Sequence, residues 1–439
     1  MPRLLLSGIP RALVLLAAAS TLFGQQVLEL SLKQAVDLAL APNGATRTQL
    51  AQEAVHAATA RQRQSLSALL PNVDASMAYA DQTRNLRTFG LNFSIPGVGA
   101  LPSLAGPFSV YDLRATVTQT VFDLSAIKRY QAGRRGTEQA QAEVDAAADQ
   151  TIERVARAYL AALVAQANVE SAEANVNLSE AIVKLTRSQK DAGTGTGIEI
   201  TRAQVQLAND QQRLIVARNE LSRAQLRLLR EVGVPMKDTV RLTDKLAYQA
   251  VDLATVPTPE RADLRAQQAR ETAVRSSFDA VKWERLPSVV ASGDYGTTGP
   301  SWNNSIPTRS VGVALRLPVF DGGRRDARRA ESGAALRSEQ IRTRDLQQQI
   351  QLELQLAVDG VKAAEGQLKA AEQGAQLAQN EVEQAKRRYE AGVTNSLELT
   401  DAQTRLVRAR DNYLAALFSH NVARLDYTAA LGTISRTIR

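Results

Sequence analysis

The sequence predicts a mainly helical protein that also carries four strands long enough to cross a membrane. Three observations predict it. Residues 125–190 and 324–390 run without proline at coiled-coil spacing, four other segments alternate with period two, and the chain repeats itself in two halves.

Composition removes several alternatives before any element is placed. The 439 residues include 53 Lys and Arg against 45 Asp and Glu, a formal net charge of +8, with no Cys and two His. Disulfides, thiolate metal sites, Cys nucleophiles and an N-terminal lipid anchor all need a sulfur that is absent, and His56 and His420 cannot supply a His-rich metal cluster. No cofactor or metal is expected. Aromatic residues are 4% of the chain, while Ala, Gln, Leu, Arg and Glu dominate long stretches, which is the composition of extended helices. The densest basic cluster, Arg324, Arg325, Arg328 and Arg329, has few aromatics near it to stack on bases, so it reads as a solvated helical face and no nucleic acid is expected.

Taken in order, residues 1–24 read as an export signal: Arg3 and Arg11 precede an apolar run from Ala12 to Phe23. Small residues at Ala17 and Ala19 and the Gly24–Gln25 junction both fit a cleavage site. Removing the segment takes away two Arg and leaves about +6. No later apolar run reaches the length of a membrane-spanning helix.

The remainder divides into two copies of one unit, residues 25–257 and 258–439. Val121-Phe122-Asp123 recurs as Val319-Phe320-Asp321, Ile198-Glu199-Ile200-Thr201 as Leu397-Glu398-Leu399-Thr400, Leu70-Pro71 as Leu286-Pro287, and Gly233 as Gly432. So long a period suits a duplicated half-protein and not a short-repeat solenoid.

Each copy supplies two strands, expected at about 72–80 and 110–121, then 288–295 and 310–319. In the first, Val73, Ala75, Met77 and Tyr79 alternate with Asn72, Asp74, Ser76 and Ala78. In the last, Val311, Val313, Leu315, Leu317 and Val319 alternate with Ser310, Gly312, Ala314 and Arg316. Any antiparallel sheet with one wet face fits such a pattern. The loops favour a membrane, since Asp81–Ser109 and Gly296–Arg309 are rich in Gly, Pro and Asn, like the long outer loops of exported barrels.

The helices complete the unit. Ile152, Val155, Tyr159, Ala162, Val169, Val176 and Val183 step by 3, 4 and 7, so residues 125–190 form a helix of roughly 100 Å, matched by 324–390. Shorter helices at 44–69 and 200–231, then 260–285 and 396–431, run beside them, with a helical turn at one tip and the strands at the other end. If the four strands enter lipid, their two open edges leave unsatisfied N–H and C=O groups, at several kcal/mol for each group, so several chains must pool their strands.

The ordered motifs resemble the TolC-type outer-membrane efflux proteins. They are the opening Leu30-Ser31-Leu32-Lys33-Gln34-Ala35-Val36-Asp37-Leu38-Ala39-Leu40, Leu-Pro before each first strand, Leu317-Pro318-Val319-Phe320-Asp321-Gly322-Gly323-Arg324, and Tyr389-Glu390-Ala391-Gly392 followed by Leu397-Glu398-Leu399-Thr400-Asp401-Ala402. The resemblance runs from about Ser31 to Gly432. It implies a homotrimer whose twelve strands form a membrane barrel and whose helices form a periplasmic tunnel, with outer-membrane lipid around the barrel. It also implies passive conduction as the exit duct of a tripartite efflux or type I secretion system, with a periplasmic adaptor (membrane fusion) protein and an inner-membrane transporter as partners.

By the same resemblance the helical turns are the periplasmic tip. Gly193, Thr194, Gly195, Thr196 and Gly197, with Gly392, Val393 and Thr394, would meet the adaptor; Gly also serves the chain reversal itself. Glu398 and Asp401, three apart and so on one helix face, fall on the family's acidic constriction, where three chains would bring six repelling carboxylates together. They also fit the alternative of solvent-facing acids near a helix start capped by Ser396. Tyr389 matches the gate tyrosine and Glu199 its acidic partner, which implies a phenol-to-carboxylate hydrogen bond. Thr394 stands where a charged latch uses Arg, and Pro42-Asn43-Gly44 replaces the family's Asn-Pro helix start.

Two competing readings remain open from the residues alone. A periplasmic coiled-coil scaffold accounts for the helices but gives the alternating strands no purpose. An enzyme lacks any ordered motif, and His56 and His420 fall in helical stretches as ordinary partly buried residues.

Overall fold

The computed structural model describes residues 27–90, 94–95, 99–100, 103–236, 239–253 and 259–438. The expected export signal lies outside the described residues.

The chain opens with a short strand and helix that the sequence motif marked without revealing their shape. Strand β1 (Val27–Leu30) leads into α1 (Leu32–Leu40), whose start is closed by a capping box: Gln34 N–H donates to Ser31 Oγ at 3.3 Å and Ser31 N–H to Gln34 Oε1 at 2.9 Å. Ala35, Val36 and Ala39 turn inward on α1 and are fully buried. Helix α2 (Thr46–Ser67) then runs to β2 (Asn72–Asn85). A small hairpin, β3 (Ser94–Ile95) with β4 (Gly99–Ala100), precedes β5 (Leu104–Phe122).

From there the chain makes its first long excursion. Helix α3 (Leu124–Asp191) begins at Asp123, whose side chain accepts from Ala126 N–H at 3.1 Å. At 1.5 Å per residue it extends about 100 Å. Helix α4 (Gly197–Val232) returns alongside it, and β6 (Thr239–Leu242) pairs in parallel with β1. The second half follows the same order: α5 (Ala262–Lys282), β7 (Ser288–Gly299), β8 (Ile306–Arg316), α6 (Arg324–Glu390), α7 (Ser396–Leu431) and a final turn α8 (Ile434–Ile438).

Gly233 and Gly432, which end the two copies, do the same physical work. Both adopt positive φ, 85° and 74°, and a Cβ there would stand 2.5 Å from Gly44 O and 2.6 Å from Glu260 O. Only glycine lets these two helix ends approach the backbone that leads into α2 and α5.

The four long strands form one antiparallel sheet in the order β2-β5-β7-β8, so β5 and β7 join the two halves and β2 and β8 are open edges. Its register sorts the side chains. Val73 opposes Val117, Met77 opposes Leu113, Ala291 opposes Val313 and Val289 opposes Leu315, which puts the expected apolar residues on one face. The other face carries Asp74, Asp112, Asp294 and Arg114, the last bonded to Asp294 and lying 3.3 Å from Asp112 and 3.1 Å from Thr308.

Two strand ends differ from the sequence expectation. The expected loop from Asp81 starts later, because β2 and β5 stay paired past a bulge to Asn85 and Leu104, where alternation fades but cross-strand bonding does not. Strand β8 stops at Arg316, short of Val319: Pro318 has no N–H to donate and β8 has no neighbour on that side.

The core is a chain of clusters along the helices. The largest joins α1, the middle of α3, the end of α4 and β6, with Tyr159 fully buried and its hydroxyl 2.9 Å from both Leu30 O and Asp244 Oδ2. A second lies at the tip, and includes Ile182, Val382, Tyr389, Leu399 and Leu406. His420 is fully buried against Tyr248, with ring centroids 4.8 Å apart, whereas His56 is exposed.

Candidate functional site

At the tip, two helical hairpins lie side by side. After α3, Gly193 takes φ 77° and its N–H donates to Lys190 O; after α6, Gly392 takes φ 69° and its N–H donates to Tyr389 O. Thr194, Thr196, Gly197, Gly392 and Val393 are exposed, and Gly195 and Thr394 are half-buried. Around the turns, Ile198, Val393 and Leu397 also stand more than half exposed. The tip therefore presents apolar side chains that one chain leaves uncovered.

The two acids expected at a constriction each have a basic partner in the same chain. Glu398 accepts from the Thr394 hydroxyl and pairs with Arg388 Nε at 3.2 Å. Asp401 pairs with Arg405, which also grips Glu381 at 2.8 Å and 3.1 Å. Arg388, near the end of α6, supplies the guanidinium that Thr394 does not, because the tight turn brings that last helical turn beside the start of α7.

Two expectations change. Asn395, not Ser396, caps α7: its Oδ1 accepts from Leu397 N–H at 3.1 Å and Glu398 N–H at 3.4 Å, and Ser396 is buried with an unpartnered hydroxyl. The Tyr389 hydroxyl is buried and has no hydrogen-bond partner among the described residues. Glu199 instead accepts from Thr196 N–H at 2.9 Å, closing the start of α4. Burial first, and the nearby Glu199 carboxylate second, raise the Tyr389 phenol above its ordinary pKa.

The structure also brings together residues that no sequence motif joins. Asp210 of α4 is 1% exposed and accepts from Ser179 of α3 at 2.5 Å, from Gln206 at 3.2 Å and from Gln403 of α7 at 3.4 Å. Above it Arg410 of α7 spans Asn175 of α3 at 3.0 Å and Gln379 of α6 at 2.9 Å. Burial lowers the Arg410 pKa. Ser179, Asp210 and Gln403 are 31 and 193 residues apart, and only their places on coiled-coil seams could have hinted at contact.

A sheet with one apolar face and two open edges, continued by helical hairpins of about 100 Å, defines a channel-tunnel class of protein. The chain belongs to the outer membrane efflux protein family, whose sequence pattern matches residues 45–234 and 259–433. Among similar proteins, the alkaline protease secretion protein AprF of Pseudomonas aeruginosa is 26% identical over 347 residues, 74% of this chain and 70% of AprF. The outer membrane protein TolC of Vibrio cholerae is 22% identical over 394 residues, 84% of each chain. Of solved structures, the outer-membrane channel OprN superposes with a TM-score of 0.74 over 92% of this chain and 90% of that one, at 21% identity. VceC of Vibrio cholerae gives 0.75 over 91% and 96%, at 18% identity. The protein is thus an outer-membrane channel with a long helical periplasmic portion.

Proposed function

We propose that three copies close their sheets edge to edge into a twelve-stranded barrel and serve as the exit duct of a tripartite efflux or type I secretion system. One observation carries this: a four-stranded sheet with one apolar face leaves β2 and β8 unpaired, and four strands are too few to close. The units 25–257 and 258–439 then repeat around the tunnel as six similar halves. Mass measurement of protein extracted from outer membranes in detergent tests the assembly. A trimer is expected, and a salt-soluble monomer would overturn it.

The tip is the resting closure and the docking end. Glu398, Asp401, Tyr389 and Glu199 line the closure; Gly193, Thr194, Gly195, Thr196, Gly197, Gly392, Val393 and Thr394 meet a periplasmic adaptor, which joins the duct to an inner-membrane transporter. Exposed Ile198, Val393 and Leu397 support the docking role, since an adaptor would cover them. Conduction is passive and needs no cofactor. Charge at the closure is a balance of acids and guanidinium groups, so cations bind there only where Arg388 and Arg405 yield. Opening must separate α7 from α3 and α4, and Asp210 with Ser179 and Gln403 is the polar link that resists it.

A further inference from the structure

The chain's charge is concentrated where helices join the sheet. Residues 123–129, 282–285 and 316–329 are the junctions after β5, before β7 and after β8. They hold nine Lys and Arg against four Asp and Glu, a net of +5 out of the formal +8. All other residues together carry +3.

Ion pairing takes up three of the four acids, the fourth, Asp123, capping α3, and leaves cations over. Glu284 takes Arg129 at 3.1 Å and Arg328 at 3.0 Å, Asp321 takes Arg325 at 2.9 Å, and Asp326 takes Arg285. Lys282, Arg324 and Arg329 are exposed and have no carboxylate partner among the described residues. Immediately beside them, Leu317, Val319 and Phe320, which follow the last paired residue of β8, are 58%, 89% and 88% exposed.

A second copy cannot neutralise this collar. The segment that would lie across the β8 edge is the approach to β2, which has no acid between Glu53 and Asp74 but does carry Arg61 and Arg63. Unpaired cations next to bare apolar side chains, at the end of lipid-facing strands, match a layer with phosphate above hydrocarbon.

We infer that this collar binds the headgroups of anionic phospholipid in the leaflet on the helical side of the membrane, holding the barrel at a fixed depth. The inference rests on the barrel reading above. Lys282, Arg324 and Arg329 contact the phosphates, and Leu317, Val319 and Phe320 enter the acyl region.

The test uses the detergent-purified full-length assembly, reconstituted into vesicles of phosphatidylcholine alone or mixed equally with phosphatidylglycerol, then re-extracted and weighed with its retained lipid. Wild type is expected to retain phosphatidylglycerol preferentially, and high salt should erase the preference. Each cation contributes about fivefold, so Lys282→Gln, Arg324→Gln and Arg329→Gln together should reduce the preference on the order of a hundredfold. Arg324→Lys with Arg329→Lys should keep it. Equal retention of both lipids by wild type, or an undiminished preference in the triple variant, would overturn the site. If the triple variant does not fold, Arg324→Gln alone must still show a loss of about fivefold. Conductance in pure phosphatidylcholine separates the two readings: wild type that conducts there without lipid preference loses only the collar, and wild type that never inserts loses the barrel as well.

Discussion

At the sheet end, Val311, Val313 and Leu315 of β8 stand 86%, 72% and 70% exposed in a single chain; at the tip, Tyr389 and Leu399 are 3% and 1% exposed. The contrast extends to polar groups. On the sheet, β2 and β8 offer rows of unpaired backbone groups, while at the tip Glu398, Asp401 and Asp210 all find partners within their own chain. In the proposed assembly one end is completed by lipid and by other copies, and the other is largely completed by its own hairpins. Assembly and gating separate along the same line: assembling the barrel adds contacts, whereas opening the tip must break existing ones.

The largest test addresses the sheet end. Val313→Arg or Leu315→Arg should impair insertion, by about 2 to 4 kcal/mol near the membrane midplane, whereas Gly312→Arg or Ala314→Arg should be milder. The readout is the yield of folded protein in lipid vesicles, and the opposite order would mean that the faces are misassigned.

Removing the buried acid tests the tip by a different route. Asp210→Ala leaves Ser179 without its acceptor and Gln403 with only the Ser179 hydroxyl, which should destabilise the hairpin contacts by about 1 to 3 kcal/mol and raise resting conductance. Stability lost with conductance unchanged would make Asp210 structural only. Tyr389→Phe discards a buried hydroxyl that has no partner among the described residues, so thermal stability should rise by about 1 kcal/mol. A fall, together with a leakier channel, would mean that another copy receives the phenol in the assembly.

Exposed pairs should matter less to stability and more to conduction. Glu398 with Arg388 is solvent-accessible and contributes at most about 1 kcal/mol to folding. In planar bilayers, Glu398→Ala with Asp401→Ala should raise single-channel conductance and weaken divalent-cation block, and Arg388→Ala with Arg405→Ala should strengthen that block. Identical block in both double variants would remove these side chains from the conduction path.

The smallest expected effect is one of pH, between the two ends. Burial lowers the His420 pKa from 6.5, with Glu365 of α6 opposing the shift and Arg424 adding to it. Below pH 6.5 the unfolded chain binds a proton that the folded chain refuses. Stability contributed by neutral His420 is therefore complete above pH 6.5 and falls as the pH drops toward the folded pKa. Thermal unfolding of wild type and His420→Asn across this range should diverge on the acid side, and parallel curves would exclude the histidine.

Much of this architecture could be read from the residues because it rests on local periodicity. Alternation at 73–79 and 311–317 selected the sheet faces, 3-and-4 spacing from Ile152 to Val183 selected the long helix, and the Gly233 and Gly432 pair marked the ends of the two copies. Partners at a distance could not be read. Ser396 looked like the cap until the turn placed Asn395 there, Tyr389 looked bonded to Glu199 until Glu199 closed its own helix start, and β1 with β6 gave too short a pattern to recognise.

The rods and the strand faces were legible in the residues alone, because side-chain periodicity and backbone hydrogen bonding act between near neighbours. Which charges meet is set by the packed helices: Arg388 stands against Glu398, and Asp210 joins three helices. Such pairings depend on the rotation and offset of helices about each other, and a shift of one residue along a coiled-coil seam turns a side chain by about 100°.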